Sequence, residues 1–214
     1  SQSPAISSSD GTPAGVCDAY FTHPEAGTHP GVLMWPDIFG LRPAFRHMAD
    51  RLAQSGYAVL VVNPFYRIRK APTSPPHPSL DDPAVRTELI GMMQSLAPAA
   101  TVPDARAFVP WLDRQPAVSR TRKMASTGYC MGGPFTLRAA AEFPERIGAG
   151  ATFHGAGLVT DRPDSPHLLI PRIRAQYLMA IAASDDTKQP EAKTILRDTF
   201  AQAHLQAEIQ VYPG

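Results

Sequence analysis

The sequence predicts an α/β fold in which a mainly parallel sheet carries helices on both faces. Short apolar runs alternate along the chain with longer segments of helical periodicity, and this alternation is typical of βα units. Residues 57–62 form a wholly apolar run of the kind found in buried parallel strands. Since no internal repeat interrupts the pattern, we expect residues 1–15 to be a flexible N-terminal segment and residues 16–214 to be a single domain.

The expected strands are short apolar runs, or in the last strand alternating apolar and polar residues, bounded by proline, glycine or polar residues. They lie at residues 16–21, 31–35, 57–62, 123–127, 147–153, 176–182 and 207–212. The first run alternates apolar and polar residues, which predicts an edge strand carrying Cys17. The last strand has no helix after it to cover its face, so we expect a C-terminal helix beyond Gly214.

The expected helices have apolar residues spaced by three and four positions. They lie at residues 43–55, 82–96, 102–114, 131–142 and 190–204. Gly56 provides a stop after the first of these helices, and Pro190 is suited to the first turn of the last one. Residues 63–80 are rich in proline and basic residues and predict a long loop, and loops of this length are often functional.

Composition excludes several classes of protein. The 214 residues are 43% hydrophobic and carry a formal net charge of +1, so we expect neither a nucleic-acid partner nor an acidic membrane partner. No apolar run is long enough to cross a bilayer, and the polar start is not a signal peptide. We therefore expect a cytoplasmic monomer or homodimer with Cys17 and Cys130 as free thiols, and with neither a metal nor a cofactor.

Cys130 carries the strongest chemical signal. It lies between an expected strand and an expected helix in the sequence GYCMG, residues 128–132. This spacing matches the nucleophile elbow, in which a tight strand-to-helix turn lifts the nucleophile above the sheet edge. The turn also directs the Met131 N–H and the helix N-terminus at the same point, which favours an oxyanion and a thiolate. The alternative is a small buried cysteine beside a glycine turn.

The segment 36–40, of sequence PDIFG, follows an earlier strand and is expected to complete the oxyanion hole. The Ile38 N–H is the expected second donor, and Asp37 is expected close to the thiol. Phe39 is expected to line the substrate pocket. For Asp37 the alternative is a carboxylate that only caps a turn or a helix.

A triad acid is expected after a late strand, and two aspartates follow residues 176–182 there. We select Asp185, because it leaves the strand first, and expect Asp186 to be an exposed turn residue. The competing interpretation is that both belong to the turn that starts a helix. His154 ends the strand 147–153 and is expected on the rim of the pocket, but its place in the chain is wrong for the triad base. The only histidine after Asp185 is His204, which we expect on the surface of a helix.

Taken together, these residues resemble the dienelactone hydrolase family, carboxymethylenebutenolidase-like proteins of the α/β-hydrolase superfamily. The resemblance runs from about Val16 to the end of the chain. Its matching pieces are PDIFG at 36–40, GYAV at 56–59, NPFYR at 63–67, GYCMGG at 128–133, the late aspartate and VYPG at 211–214.

The resemblance implies the α/β-hydrolase fold and a Cys-His-Asp triad that opens lactones or esters through an acyl-thioester. Cys130 is the implied nucleophile and Asp185 the implied acid. The implied histidine lies just beyond residue 214, so the His loop and last helix are expected outside this sequence. Asp37 stands where dienelactone hydrolases have a glutamate, one methylene longer, that contacts the resting cysteine. Arg86 is a candidate for an arginine that holds a substrate carboxylate.

The leading hypothesis is therefore a hydrolase of small lactones or carboxylic esters. The runner-up is a catalytically impaired protein of the same fold that binds a small ligand or a partner in the cleft. A thiol redox protein is a third hypothesis, and it requires a resolving cysteine close to Cys130.

Overall fold

The computed structural model describes residues 5–6 and 15–213. The strands are β1 (Ala5–Ile6), β2 (Cys17–Thr22), β3 (Gly31–Trp35), β4 (Ala58–Val62), β5 (Met124–Tyr129), β6 (Ile147–Phe153), β7 (Gln176–Ala182) and β8 (Ala207–Tyr212). The helices are α1 (Pro43–Gln54), α2 (Pro83–Gln94), α3 (Pro98–Asp113), α4 (Gly133–Glu142), α5 (Ala183–Lys188) and α6 (Ala192–Gln202). Two 3₁₀ turns, Cys130–Gly132 and Pro166–Arg172, precede α4 and β7.

In the described part of the chain the eight strands form one sheet in the order β1-β2-β4-β3-β5-β6-β7-β8. The β2 strand runs antiparallel to β4. The six strands β3 to β8 are mutually parallel. The segments that follow β3, β4, β5, β6 and β7 therefore all leave the same edge of the sheet. In parallel α/β sheets this edge is where ligands bind.

Alternate residues of the central strands supply two cores, because successive side chains in a strand point to opposite faces. Leu33, Trp35 and Leu60 face a core completed by α2, α3, α4 and α6. Val32 and Val59 face a smaller core completed by α1. The sheet thus has helices on both faces, as the sequence predicts. On the α1 side the apolar side chains of β6 and β7 are only half-buried.

Three differences from the sequence predictions go beyond shifts of one or two residues at the ends of elements. β1 pairs with β2 at Cys17 and Asp18, so the prediction that Cys17 lies on an edge strand is wrong. Helix α3 begins at Pro98, four residues before its predicted start, because a proline fits the first turn while Pro103 sits inside the helix. Helix α5 was not predicted. Of the segment 1–15, residues 1–4 and 7–14 lie outside the described residues, and the prediction that it is flexible is untested.

Candidate active site

The chain turns sharply at Cys130, at the carboxyl end of β5. The Cys130 φ angle is 51°, a left-handed conformation that is uncommon for a residue with a side chain. The turn is so tight that it requires glycine on either side of Cys130: a Cβ on Gly128 would lie 2.2 Å from the Gly132 carbonyl oxygen. This strand-turn-helix is the elbow predicted from the sequence, and its backbone strain is of the kind found at functional sites.

The segment 36–40 lies directly against the elbow. A Cβ on Gly132 would meet the carbonyl oxygens of Trp35 and Pro36 at 2.5 Å and 2.6 Å. Because of this close approach, the backbone N–H groups of Ile38 and Met131 both lie against the Cys130 thiol and favour its ionised form. The structure therefore brings together the two N–H donors that the sequence analysis assigned to an oxyanion hole.

Carboxylates oppose ionisation of the same thiol. Burial raises the pKa of Cys130 above its ordinary value, and the negative charges of Asp37 and Asp185 raise that pKa further. Cys130 is thus held as a neutral thiol at neutral pH by its described surroundings, and the two backbone N–H groups oppose this effect only in part. Forming the thiolate requires a group that accepts the proton.

Asp37 is anchored by Arg42, a contact the sequence analysis did not identify. The guanidinium of Arg42 donates to both carboxylate oxygens, at 2.6 Å and 2.8 Å, and the Phe39 N–H donates to one of them at 2.9 Å. Arg42 also lies over the rings of Phe39 and Phe45. Bidentate binding of this kind fixes both partners, so Asp37 acts on the thiol through its charge while it holds the 36–40 turn.

The two late aspartates have separate partners. Asp186 lies in helix α5 with a side chain that is 22% exposed and paired with Lys193 at 2.6 Å, so the expectation that Asp186 is an exposed turn residue is wrong. Asp185 bonds through Oδ2 to Nδ1 of His154. A carboxylate only accepts hydrogen bonds, so Nδ1 carries the donated proton. Only Asp185 of this pair is among the charges that act on Cys130, which agrees with its selection as the candidate acid.

His154 lies where the sequence analysis expected it, on the rim of the site. It follows β6, adopts a φ of 53° next to the elbow, and has a half-exposed side chain. Its contact with Asp185 was not predicted, although one signal pointed to it: the two residues follow neighbouring parallel strands and so leave the same sheet edge.

Arg86 lies apart from this cluster. It is exposed on α2, and its guanidinium donates to the Leu80 carbonyl oxygen at 3.3 Å. This contact ties the start of α2 to the preceding loop and does not bring Arg86 to the elbow. The candidate role in holding a substrate carboxylate therefore has no support in the described contacts.

The long loop 63–80 is hydrogen-bonded to the 36–40 segment. The hydroxyls of Thr73 and Ser74 donate to the Phe39 carbonyl oxygen at 3.3 Å and 3.0 Å. The base of the loop is anchored at buried Asp104, which accepts from the Tyr66 hydroxyl at 2.8 Å and from Arg67 at 2.7 Å and 3.0 Å. The predicted loop thus supports the oxyanion segment and, through Asp104, ties it to α3.

We expect the Asp185→Asn variant to shift the pH profile of Cys130 alkylation by iodoacetamide to lower pH. The carboxylate charge disfavours the thiolate, so its removal lowers the pKa of the thiol and speeds alkylation at any pH below that pKa. Peptide mass spectrometry measures the reaction at Cys130 separately from that at Cys17, which is fully buried.

The matched control is Asp186→Asn, the same change one residue later in a carboxylate paired with Lys193. We expect it to leave the alkylation profile unchanged. Equal shifts in both variants, or none in Asp185→Asn, would show that Asp185 does not act on the thiol.

Neither a metal centre nor a membrane span is found in the described ranges. Among residues 15–213 no group of three or more histidine, cysteine, aspartate or glutamate side chains is arranged to hold a metal ion. None of the helices in the same part of the chain has both the length and the apolar character needed to cross a membrane. Cys17 and Cys130 are both free thiols, on β2 and at the end of β5, so the structure offers no resolving cysteine beside the elbow.

Comparison with known proteins gives consistent matches. A sequence model of the dienelactone hydrolase family matches residues 17–214. The carboxymethylenebutenolidase of Rhodococcus opacus is 28% identical over 127 residues, which are 58% of this chain and 44% of that protein. Carboxymethylenebutenolidase 1 of Cupriavidus pinatubonensis is 24% identical over 184 residues, covering 85% of this chain and 72% of that protein.

Solved structures agree with the sequence matches. A dienelactone hydrolase-like promiscuous phosphotriesterase from metagenomic libraries superposes with a TM-score of 0.74 and 25% identity, over 99% of this chain and 81% of that one. The dienelactone hydrolase of Anabaena variabilis superposes with a TM-score of 0.63 at 20% identity, over 99% of this chain and 86% of that one, and shows the fold alone. The predicted α/β-hydrolase fold is confirmed.

Proposed function

This chain belongs to the dienelactone hydrolase family, and from that membership we propose that it hydrolyses small lactones or carboxylic esters with Cys130 as the nucleophile. The observation that carries the proposal is the elbow itself. A strained cysteine at the end of β5 faces the backbone N–H groups of Ile38 and Met131, which belong to two different segments of the chain.

The proposed reaction has two halves. The Cys130 thiolate attacks the carbonyl carbon, a carbon–sulfur bond forms, and the carbonyl electron pair moves to oxygen. The Ile38 and Met131 N–H groups donate to this oxyanion, which is where fixed donors contribute most to catalysis. The ester carbon–oxygen bond then breaks, the alcohol leaves with a proton from the base, and water hydrolyses the thioester to release the acid and Cys130.

The proposed base is a histidine oriented by Asp185, and it is expected beyond residue 214, as the family resemblance implies. In the described residues the Asp185 carboxylate bonds through one oxygen to His154, which leaves the other oxygen to accept from the base. His154 and Phe39 line the entrance in this proposal, and the partner is a small-molecule substrate.

The proposal is tested by incubating the protein with p-nitrophenyl acetate and with a five-membered lactone across a range of pH. We expect release of p-nitrophenol and transient addition of one acetyl group to Cys130, observed by intact-mass and peptide mass spectrometry. The lactone should open at a rate that rises with the thiolate fraction. If neither compound is hydrolysed and Cys130 is not acylated even at high pH, the hydrolase proposal fails in favour of a ligand-binding protein.

A further inference from the structure

A pocket lies behind Asp185, between the segment that follows β6 and the helices α5 and α6. Its volume is about 280 Å³. Small-molecule sites in proteins start at about 300 Å³, so this pocket suits one arm of a small molecule. We call it the rear pocket; its lining comprises residues 155–159, Ile181, Asp185, Asp186, Lys188, Gln189, Ala192, Lys193 and Leu196.

The rear pocket adjoins the backbone of the candidate nucleophile. The Ala156 N–H, in its wall, donates to the Cys130 carbonyl oxygen at 3.1 Å. Asp185 forms another part of the wall, and the charge of its carboxylate acts on the Cys130 thiol. A substrate whose carbonyl carbon is at Cys130 therefore has the rear pocket within reach.

The interior of the rear pocket is apolar. Its floor consists of the buried side chains of Leu158, Val159 and Leu196. Three of the polar side chains around it already have partners: Asp186 and Lys193 pair with each other, and the Gln189 amide donates to the Val159 carbonyl oxygen at 3.1 Å. An apolar occupant therefore packs on the floor without breaking these contacts, whereas the side chains of the floor offer a charged occupant no polar partner.

We propose that the rear pocket binds the unbranched aliphatic alcohol arm of an ester substrate, which deepens and rests on the proposed hydrolase function. The alcohol side is favoured because Asp185 orients the base that protonates the leaving oxygen. The substituent on that oxygen is therefore the part of the substrate nearest to Asp185. Each methylene buried in such a site raises the specificity constant by up to about fourfold.

The proposal is tested with the ethyl, butyl and hexyl esters of acetic acid, because all three pass through the same acetyl-enzyme. We expect kcat/KM, measured by pH-stat, to rise about tenfold or more from ethyl to hexyl acetate, while the acetyl adduct on Cys130 is identical. A second readout needs no turnover: alkylation of Cys130 by N-hexyl iodoacetamide should be faster than by N-ethyl iodoacetamide.

A variant that fills the rear pocket tests whether the pocket causes the chain-length preference. Ala192→Phe places a ring in the rear pocket and should remove the hexyl preference in both readouts while leaving ethyl acetate and N-ethyl iodoacetamide unaffected. Ala201→Phe is the matched control, because the same substitution on the same helix α6 lies at an exposed position. It should keep the preference.

The two proposals fail in different ways. Hydrolysis of all three esters without chain-length preference, or a preference that survives Ala192→Phe, overturns the rear-pocket assignment and leaves the hydrolase function standing. Absence of hydrolysis, together with a hexyl preference in alkylation that Ala192→Phe abolishes, supports the pocket and overturns the hydrolase function.

Discussion

Replacing Cys130 with alanine should lower kcat/KM for p-nitrophenyl acetate by about a thousandfold or more and abolish formation of the acetyl adduct. The loss follows because Cys130 is the side chain against which the Ile38 and Met131 N–H groups lie. The fold should persist, since the thiol leaves only a small space at a half-buried site. Steady-state kinetics and intact-mass spectrometry measure the loss, and circular dichroism verifies the fold.

Cys17→Ala is the matched control, because it is the same substitution at the other cysteine, which is fully buried on β2. We expect it to cost some stability and to leave kcat/KM near the wild-type value. Full activity in Cys130→Ala, or equal losses in both variants, would contradict the assignment of the nucleophile.

The arrangement at Cys130 could be predicted largely from the sequence because it depends on backbone topology. Strands β3, β6, β7 and β8 have the predicted bounds, since each is a mainly apolar or, in β8, an alternating run that ends at polar or turn-forming residues. Once β3, β5 and β7 are parallel, their carboxyl ends meet at one edge, and Asp37, Cys130 and Asp185 follow those three ends. No knowledge of side-chain packing was needed to bring them together.

The contacts that depend on side-chain reach were not predictable in the same way. The pairing of Arg42 with Asp37 and of His154 with Asp185 requires knowing rotamers as well as strand order. Arg86 is the reverse case: its candidate role came from the resemblance alone, and the described contacts of this exposed side chain on α2 do not support that role. Helix α5 was missed because its serine and aspartates are equally typical of a turn.

Asp37 illustrates how the structure changes an interpretation. The resemblance placed Asp37 where dienelactone hydrolases have a longer glutamate that contacts the resting cysteine. In the structure the carboxylate is bound by Arg42 and by the Phe39 N–H, yet its charge still raises the pKa of the Cys130 thiol. The negative charge of Asp37 therefore favours the neutral form of the resting thiol, while the hydrogen bonds of its carboxylate stabilise the 36–40 segment. The cytoplasmic location and the monomeric or dimeric state stay predictions.

Gly132→Ala should destabilise the protein by about 3 kcal/mol, toward the upper end of the cost of overpacking. The added methyl group would lie 2.5 Å and 2.6 Å from the carbonyl oxygens of Trp35 and Pro36. These are backbone atoms, so the clash cannot be relieved by rotating a side chain. Either the elbow or the 36–40 segment has to move, and equilibrium urea denaturation measures the cost.

The same displacement should act on the chemistry, because the Ile38 N–H follows directly after Pro36 and Asp37. If it moves away from Cys130, the thiol loses one of the two donors that favour its ionised form. Alkylation of the Gly132→Ala variant should then require higher pH than that of the wild type.

Gly91→Ala is the matched control: Gly91 lies on the exposed side of α2 with open space around its Cβ position. There the substitution should add about 0.5–1 kcal/mol of stability, since alanine is the better helix former. A Gly132→Ala variant as stable as Gly91→Ala, with an unshifted alkylation profile, would mean that the elbow and the oxyanion segment are not in the close contact on which the proposed site depends.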